Sequence, residues 1–208
     1  MRLLGAHIAI ERGGQRLFSD VNFALAAGEA LVVTGRNGAG KSSLLRAIAG
    51  LLPVASGQLR LEGGDDEQGP GAQAHYLGHA DALKGALTAR ENLDFWSATL
   101  RGDGPSAALA AAAALDRLGL AHVLDFPVGY LSAGQRRRVA LARLLVAYRP
   151  LWLLDEPTAA LDAAAQDRLA AIMRAHLAGG GLIVAATHAP LGLDAQALAL
   201  DGAERAFA

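Results

Sequence analysis

The chain has 208 residues, a formal net charge of −1 and no cysteine. A nearly neutral chain is a poor candidate for a general nucleic-acid binder, and the absence of cysteine excludes disulfides, zinc–thiolate sites and thiol catalysis. The length suits one well-buried core with at most a small additional lobe. No run approaches the roughly 20 apolar residues that cross a bilayer, so we expect membrane contact only through partner subunits.

The first third of the chain is predicted to be rich in short strands. Residues 3–33 favour antiparallel strands with turns at Gly13–Gly14 and 27–29, and residues 59–62 favour a further strand. Glycine and acidic residues dominate 63–71, which predicts a mobile loop with no assigned function. We therefore expect an antiparallel β subdomain in this part of the chain.

From about residue 88 the pattern changes from strand to helix. The predicted elements are helices at 90–100, 106–118 and 136–148, a strand at 151–154, a helix at 163–177, a strand at 182–187, and a weak strand at 198–200 followed by a turn at 201–202. These elements predict one α/β domain over residues 1–208. Residues 1–80 and 149–208 would form its core, and residues from about 81 to 148 a helical subdomain.

A glycine-rich segment between a strand and a helix predicts a phosphate-binding loop. Residues 30–34 are apolar, as in a buried strand, and residues 42–50 have helical spacing. The residues that would surround the phosphates are Gly35, Arg36, Asn37, Gly38, Ala39, Gly40, Lys41, Ser42 and Ser43. Lys41 would reach the β- and γ-phosphates, and the Ser42 hydroxyl would bind Mg²⁺. A glycine-rich turn before an ordinary helix is the alternative, but the full pattern in this setting favours ATP and Mg²⁺ as ligands.

Two carboxylates follow the apolar strand at 151–154. Asp155 is placed to hold Mg²⁺ through water, and Glu156 is placed to orient and polarise an attacking water. A solvated strand end with a turn begun by Pro157 is the alternative. Together with the phosphate loop, the two carboxylates favour catalysis of nucleotide hydrolysis by Lys41 and Glu156.

The segment Leu131–Gln135 resembles the signature of ABC-type ATPases, with Ala133 where the usual pattern has glycine. The resemblance implies an α/β fold with a phosphate-loop NTPase (RecA-like) core, an antiparallel β subdomain and a helical insertion that carries the signature. It also implies a homodimer that encloses two ATP molecules, with each signature against the γ-phosphate held by the opposite subunit. The residues in that role would be Ser132, Ala133, Gly134 and Gln135. The local chemistry agrees, because Ser132 is a good N-cap and the dipole of the following helix favours an anion.

Three consecutive arginines, Arg136–Arg138, follow the signature. They could form a nucleic-acid patch, but the chain as a whole is nearly neutral. We therefore expect them to lie at a solvated or phosphate-facing edge, with no nucleic acid as a partner.

Four further positions take roles from the same resemblance. Asp162 lies in the segment that joins two subunits beside the hydrolytic site, and His188 would sense the γ-phosphate and support the attacking water, although a strand-end histidine is usually structural. Arg12 stands where family members place an aromatic ring against adenine, and a planar guanidinium can stack on a base. His79 stands where most members have a glutamine near Mg²⁺, and an imidazole can also bind a metal.

Residues 76–85 and 87–93 resemble the ATP-binding subunits of the bacterial haem exporters of cytochrome c maturation. The resemblance implies a peripheral ATPase at the cytoplasmic face of the bacterial inner membrane, held by integral membrane permease subunits. Its hydrolysis of ATP would drive haem export or the release of haem from a chaperone. The alternatives are an ATPase for another transported substrate, a soluble non-transport ABC ATPase, and a haem-binding module in which His75 and His79 share one face of a strand.

Overall fold

The computed structural model describes residues 1–65, 67–100 and 108–200. Their strands and helices follow in the order β1 (Arg2–Arg12), β2 (Gln15–Ala26), β3 (Ala30–Thr34), α1 (Lys41–Ile48), β4 (Ser56–Glu62), β5 (Ala74–Leu77), α2 (Ala89–Leu100), α3 (Ala111–Arg117), α4 (Ala133–Val146), β6 (Leu151–Asp155), α5 (Ala163–Ala178), β7 (Leu182–Ala186) and β8 (Gln196–Ala199). Short 3-10 turns lie at Pro70–Gln73, Ala121–Val123 and Val128–Tyr130. Within the described ranges, every helix is too short or too polar to span a bilayer.

One sheet is antiparallel and has the strand order β2-β1-β4. β1 is its central strand, and Arg2 lies opposite Ala26 on one side and opposite Glu62 on the other. Leu3 and Ile10 of β1 are both fully buried, because register shifts after Gly5 interrupt the alternation of side chains between the two faces. The prediction of antiparallel strands is confirmed for β1, β2 and β4. It is wrong for residues 30–33, because β3 pairs in parallel with β7 and β8 in the other sheet.

The other sheet is parallel and has the strand order β5-β6-β7-β3-β8. Every residue of β6 and β7 is buried, as expected for the central strands of a parallel sheet that is covered on both faces. Leu44, Leu45 and Ile48 of α1 belong to the same apolar core. Because the strands are parallel, the ends of β3, β6 and β7 lie along one edge of the sheet, which is where ligands bind in open α/β sheets.

The chain divides into two compact units. The first consists of Met1–Gly78, Pro150–Glu156 and the chain from Arg174 onward, and it contains both sheets and α1. The second consists of His79–Arg149 and Pro157–Met173. Its helices α2 and α3 pack against α4. The helical insertion predicted at about 81–148 falls inside this second unit.

Helix α3 is shorter than predicted. The predicted start at residue 106 lies outside the described residues, as does the turn predicted at 201–202. Within the described part, Ala110 is extended and α3 begins at Ala111. The N–H of Leu109 donates to the carbonyl oxygen of Leu145 over 2.8 Å. The carbonyl group of Leu145 is in the last turn of α4, where it accepts no hydrogen bond within its own helix. It therefore accepts from Leu109 and holds the segment before α3 in an extended form.

Hydrogen bonds with Gln73 hold Asp65 and Gln68 within the glycine-rich, acidic segment 63–71, which its composition predicts to be a mobile loop. Gln73 is buried, and its side-chain amide donates to the carbonyl oxygens of Asp65 and Gln68 over 2.9 and 3.2 Å. Its side-chain oxygen accepts from the N–H of Asp65 over 2.8 Å. Asp66 itself lies outside the described residues.

Candidate nucleotide site

The predicted phosphate loop joins β3 to α1, and α1 begins at Lys41, one residue earlier than expected. Gly35, Gly38 and Gly40 have φ angles of 138°, 82° and 102°, which favour glycine. A Cβ atom on Gly40 would lie 2.8 Å from the ring of Phe18, whereas one on Gly38 would meet nothing within 4 Å. The loop is therefore closely packed at Gly40 and open at Gly38, which we call its crest, where an anion can approach the backbone.

Lys41 is already inside this loop. Its side chain is buried, and the ammonium group donates to the carbonyl oxygens of Gly35 over 2.8 Å and Arg36 over 3.1 Å. A lysine ammonium has three N–H donors, so two of them are used by the loop itself. The third is available to an oxygen atom of a bound phosphate.

The N-terminus of α1 adds a second set of donors. The first hydrogen bond of the helix runs from the N–H of Leu44 to the carbonyl oxygen of Gly40 over 2.8 Å. The preceding N–H groups, from Lys41 to Ser43, are the ones that a helix leaves without a partner of its own. Together with the positive end of the helix dipole, they form a site for an anion such as a phosphate.

Asp155 ends β6 at the same edge of the parallel sheet. Its side chain is buried at 5% exposure. The neighbouring cation is Arg46 of α1, whose Nε donates to the hydroxyl of Tyr76 over 3.3 Å. That hydrogen bond raises the pKa of the Arg46 guanidinium, and the negative charge of Asp155 acts in the same direction. A buried carboxylate at this edge can serve as the predicted partner of Mg²⁺.

Glu156 has a strained backbone that β7 holds in place. Its φ angle is 45°, which is uncommon for a residue with a side chain. The N–H of Glu156 donates to the carbonyl oxygen of Ala186 over 2.8 Å, and the hydroxyl of Thr187 donates to the Glu156 carboxylate over 3.0 Å. His188 follows directly and is exposed. The candidate catalytic carboxylate is thus fixed at both its backbone and its side chain.

The signature begins helix α4 as predicted. The hydroxyl of Ser132 accepts from the N–H of Gln135 over 3.2 Å, and the Gln135 side chain accepts from the N–H of Ser132 over 2.8 Å. This reciprocal capping satisfies two N–H groups at the helix start. Ser132 and Ala133 are exposed on the second unit, so the start of α4 is open to a ligand.

Two other residues near the signature have structural roles of their own. A Cβ atom on Gly134 would lie 2.8 Å from the carbonyl oxygen of Ala160, so only glycine fits there. Asp162 caps helix α5, because its carboxylate accepts from the N–H of Ala165 over 2.8 Å. The side chain of Asp162 is exposed, as a residue at a subunit interface would be in a single chain. Its role at such an interface stays a prediction.

The prediction of a solvated edge at Arg136–Arg138 is wrong for Arg137. Its side chain is 5% exposed and donates to the carboxylate of Asp81 over 3.1 Å. Arg136 donates to the carbonyl oxygen of Leu131 and Arg138 to that of Leu118. The arginines therefore hold the helical unit together, because buried guanidinium groups need partners for their N–H donors.

Two positions taken from the resemblance, Arg12 and His79, lie apart from the phosphate loop in the chain. Arg12 is exposed at the end of β1, opposite Gln15, and its neighbour Glu11 pairs with Arg16 over 2.9 Å. His79 is exposed in the second unit. β5 ends at Leu77 and His75 is buried, which counts against the alternative of a haem-binding module with His75 and His79 on one strand face.

The residues of the first unit fit a nucleotide with Mg²⁺. The loop crest is open, Lys41 has a donor to spare, and the Ser42 hydroxyl stands at the start of α1. In the described ranges there is no group of three or more His, Cys, Asp or Glu residues that could hold a metal by themselves. Mg²⁺ at a nucleotide binds through few protein oxygens together with waters and phosphate oxygens, and Ser42 and Asp155 could supply those protein oxygens.

Sequence reasoning missed Thr187, which contacts Glu156. The available signal was a polar residue at the end of an otherwise apolar strand, immediately before His188. It also missed the Tyr76 contact with Arg46, because no sequence pattern links residues that are 30 positions apart.

Comparisons with known proteins agree with this geometry. Residues 18–159 match the family described as ABC transporter. The chain is 56% identical over 205 residues to the cytochrome c biogenesis ATP-binding export protein CcmA of Nitrobacter winogradskyi, which covers 98% of this chain and 100% of that protein. It is 57% identical over 195 residues to the protein of the same name from Mesorhizobium japonicum, which covers 93% of this chain and 95% of that one.

A solved structure of an ATP-binding subunit of an ABC transporter superposes with a TM-score of 0.77 at 26% identity, covering 90% of this chain and 80% of that chain. The predicted fold class, a phosphate-loop NTPase core with an antiparallel β subdomain and a helical insertion, is therefore confirmed. The chain belongs to the ABC transporter family, as one of its ATP-hydrolysing subunits.

Proposed function

We propose that this chain hydrolyses ATP for a membrane complex of cytochrome c biogenesis. The observation that carries the ATPase assignment is the arrangement at one edge of the parallel sheet, where the phosphate loop follows β3 and the clamped Glu156 follows β6. The cellular role is supported by the relatives, which carry the name of an ATP-binding export protein of cytochrome c biogenesis at 56% and 57% identity. Hydrolysis is proposed to drive either the export of haem or the release of haem from a chaperone that is already loaded in the complex.

Nucleotide binding uses the loop and the start of α1. The N–H groups of the loop and of the first helical turn donate hydrogen bonds to the phosphate oxygens, and Lys41 directs its remaining donor at the β- and γ-phosphate oxygens. Ser42 and Asp155 would hold Mg²⁺, Asp155 through water, and the ion would neutralise charge on the phosphates. His79, in place of the usual glutamine, is proposed as a further residue near the ion.

Hydrolysis uses the carboxylate of Glu156. It accepts a hydrogen bond from the attacking water and so aims the water at the γ-phosphorus. His188, at the exposed end of β7, is proposed to contact the γ-phosphate and the same water. Catalysis is then mostly positioning and charge stabilisation, as in other phosphoryl transfers.

The site is proposed to be completed by a second copy of the chain. The exposed Ser132 and Ala133 at the start of α4 would meet the γ-phosphate bound by the other copy, and the exposed Asp162 would lie in the interface. Removal of the γ-phosphate then removes the contact that joins the two copies, and the pair opens. The pair is proposed to be held peripherally at the cytoplasmic face of the bacterial inner membrane by integral permease subunits.

The substitution Glu156→Gln tests the catalytic assignment. The amide keeps the size of the side chain but is a poor acceptor for the proton of the water, so we expect ATP binding to persist and phosphate release to fall by about 100-fold or more. Light scattering should then detect a dimer that persists with ATP. Glu62→Gln, at an exposed position of β4, is the matched control. Turnover at the wild-type rate in Glu156→Gln would remove Glu156 from the mechanism.

Recovery of partners from membranes tests the cellular role. The chain, tagged and expressed in its own host, should bring down integral membrane subunits of cytochrome c assembly, as identified by mass spectrometry. Permeases for sugars, peptides or metals would contradict the cytochrome c role and leave the ATPase intact. Recovery without any membrane protein would favour a soluble ABC ATPase. An unchanged Soret region on adding haem to the chain would exclude the haem-binding module.

A further inference from the structure

The hydroxyl group of Thr187 lies between Glu156 and the turn that begins at His188. Thr187 is 1% exposed at the end of β7. Its Oγ1 atom is 3.0 Å from Oε2 of Glu156 and 3.0 Å from the backbone nitrogen of Ala189. One buried hydroxyl therefore contacts both the candidate catalytic carboxylate and the chain just beyond the candidate γ-phosphate sensor.

The direction of both hydrogen bonds is fixed by their chemistry. The N–H of Ala189 can only donate, so the Thr187 oxygen accepts that bond. The single hydroxyl proton is then free to point at the carboxylate, which accepts it. A hydroxyl held at both sides cannot rotate without losing one bond, so the oxygen of Glu156 has a fixed donor at a fixed place.

The backbone of Glu156 is held from the same strand end. Its N–H donates to the carbonyl oxygen of Ala186, the residue before Thr187, over 2.8 Å. The φ angle of 45° at Glu156 is a conformation that persists only where the surroundings determine it. The last residue of β7, Ala186, and the residue after it, Thr187, thus fix the backbone and the carboxylate of Glu156, the strained residue that follows β6.

We propose that Thr187 is a positioning residue for Glu156. Its hydroxyl holds the carboxylate in the orientation in which it can accept a hydrogen bond from the attacking water. The same hydroxyl links that orientation to the position of the turn that carries His188. This inference rests on the proposed catalytic role of Glu156. The side chain contacts no reacting atom in this scheme, so its removal should lower the turnover number and leave ATP binding nearly unchanged.

The substitutions Thr187→Val and Thr187→Ser separate the hydroxyl from the shape of the side chain. Valine keeps the β-branched shape and removes the hydroxyl, and serine keeps the hydroxyl and removes only a methyl group. On the complex purified from membranes through a tag on this chain, we expect kcat to fall on the order of 10-fold or more in Thr187→Val, with KM for ATP changed less than about 3-fold. Thr187→Ser should restore most of kcat.

A second measurement needs no nucleotide. Amide hydrogen exchange at Ala189, followed by NMR in the free chain, should accelerate in Thr187→Val and stay slow in Thr187→Ser, because only valine removes the acceptor. Thr99→Val is the matched control, since its hydroxyl donates to the carbonyl oxygen of Phe95 over 2.8 Å on α2. It should leave both kcat and the exchange at Ala189 unchanged.

The outcomes distinguish this inference from the proposed function. If Glu156→Gln is slow but Thr187→Val keeps the wild-type kcat, the positioning role is wrong and the ATPase assignment stands. If Glu156→Gln hydrolyses ATP at the wild-type rate, the proposed catalytic role of Glu156 is wrong, and the inference about Thr187 that rests on it is wrong as well. If Thr187→Ser is as slow as Thr187→Val, the shape of the side chain matters and the hydroxyl does not. Equal exchange at Ala189 in all variants would also overturn the proposal.

Discussion

The buried imidazole of His176 makes the stability of the chain depend on pH. His176 stacks on Trp152 with ring centroids 3.8 Å apart and an interplanar angle of 10°. Its Nε2 donates to the carbonyl oxygen of Pro150 over 3.2 Å. Burial lowers the pKa of His176 from 6.5 to about 4, although its backbone hydrogen bonds act in the opposite direction. The folded chain therefore holds this side chain neutral well below pH 6.

The size of the effect follows from the difference between the folded and unfolded pKa values. Between about pH 6.5 and 4, the unfolded chain binds a proton at His176 that the folded chain does not, so the free energy of unfolding falls as the pH falls. The stabilisation is complete above pH 6.5. With a slope of about 1.4 kcal/mol per pH unit and proton, roughly 2 kcal/mol is lost by pH 5 and about 3 kcal/mol by pH 4.

His176→Phe removes the titration and keeps a ring against Trp152. The carbonyl oxygen of Pro150 remains satisfied in this variant, because it also accepts from the N–H of Leu182 over 2.8 Å. Urea unfolding measured from pH 8 to pH 4.5 should give a flatter dependence on pH for His176→Phe than for the wild type. His122→Phe, at an exposed position, should follow the wild type. Parallel curves for His176→Phe and the wild type would refute the reasoning.

Two further predictions concern the phosphate loop and the signature. Gly40→Ala should lower the free energy of unfolding by about 2–5 kcal/mol, because alanine is strained at this φ angle and its Cβ atom would clash with Phe18. Gly38→Ala meets no neighbouring atom and should lower it by only about 1–2 kcal/mol, from backbone strain alone. Urea unfolding measures both changes. Ser132→Ala should cost about 1 kcal/mol of stability by loss of the helix cap, while Ser132→Asp should keep the cap yet slow phosphate release by repelling the γ-phosphate; equal activity of Ser132→Asp and wild type would exclude that contact.

The sequence predicts those parts of the fold that depend on neighbouring residues. The phosphate loop needs glycines between a strand and a helix, all within 30–48, and the start of α4 needs Ser132 and Gln135 three positions apart. Such features are visible in the sequence because the interacting groups are close along the chain. The two sheets follow from runs of apolar residues and from glycine turns for the same reason.

The features that sequence reasoning missed or misjudged depend on distant residues. Arg137 is buried because Asp81, 56 positions away, accepts from it. α3 starts late because a carbonyl oxygen near the end of α4 binds Leu109. Strand ends behave likewise, since β5 stops at Leu77 for reasons that no periodicity near His75 reveals. Tertiary contacts decide these points, and a propensity or a local pattern contains no information about them.

The side chain of Lys41 braces the phosphate loop from within. Its ammonium group bridges the carbonyl oxygens of Gly35 and Arg36, and the glycines at positive φ let the backbone follow this tight path. A phosphate can therefore gain a charge-assisted hydrogen bond from the third donor without breaking the other two. An arginine at position 41 would not be equivalent, since its planar fork cannot direct donors to three separate oxygens as a tetrahedral ammonium does.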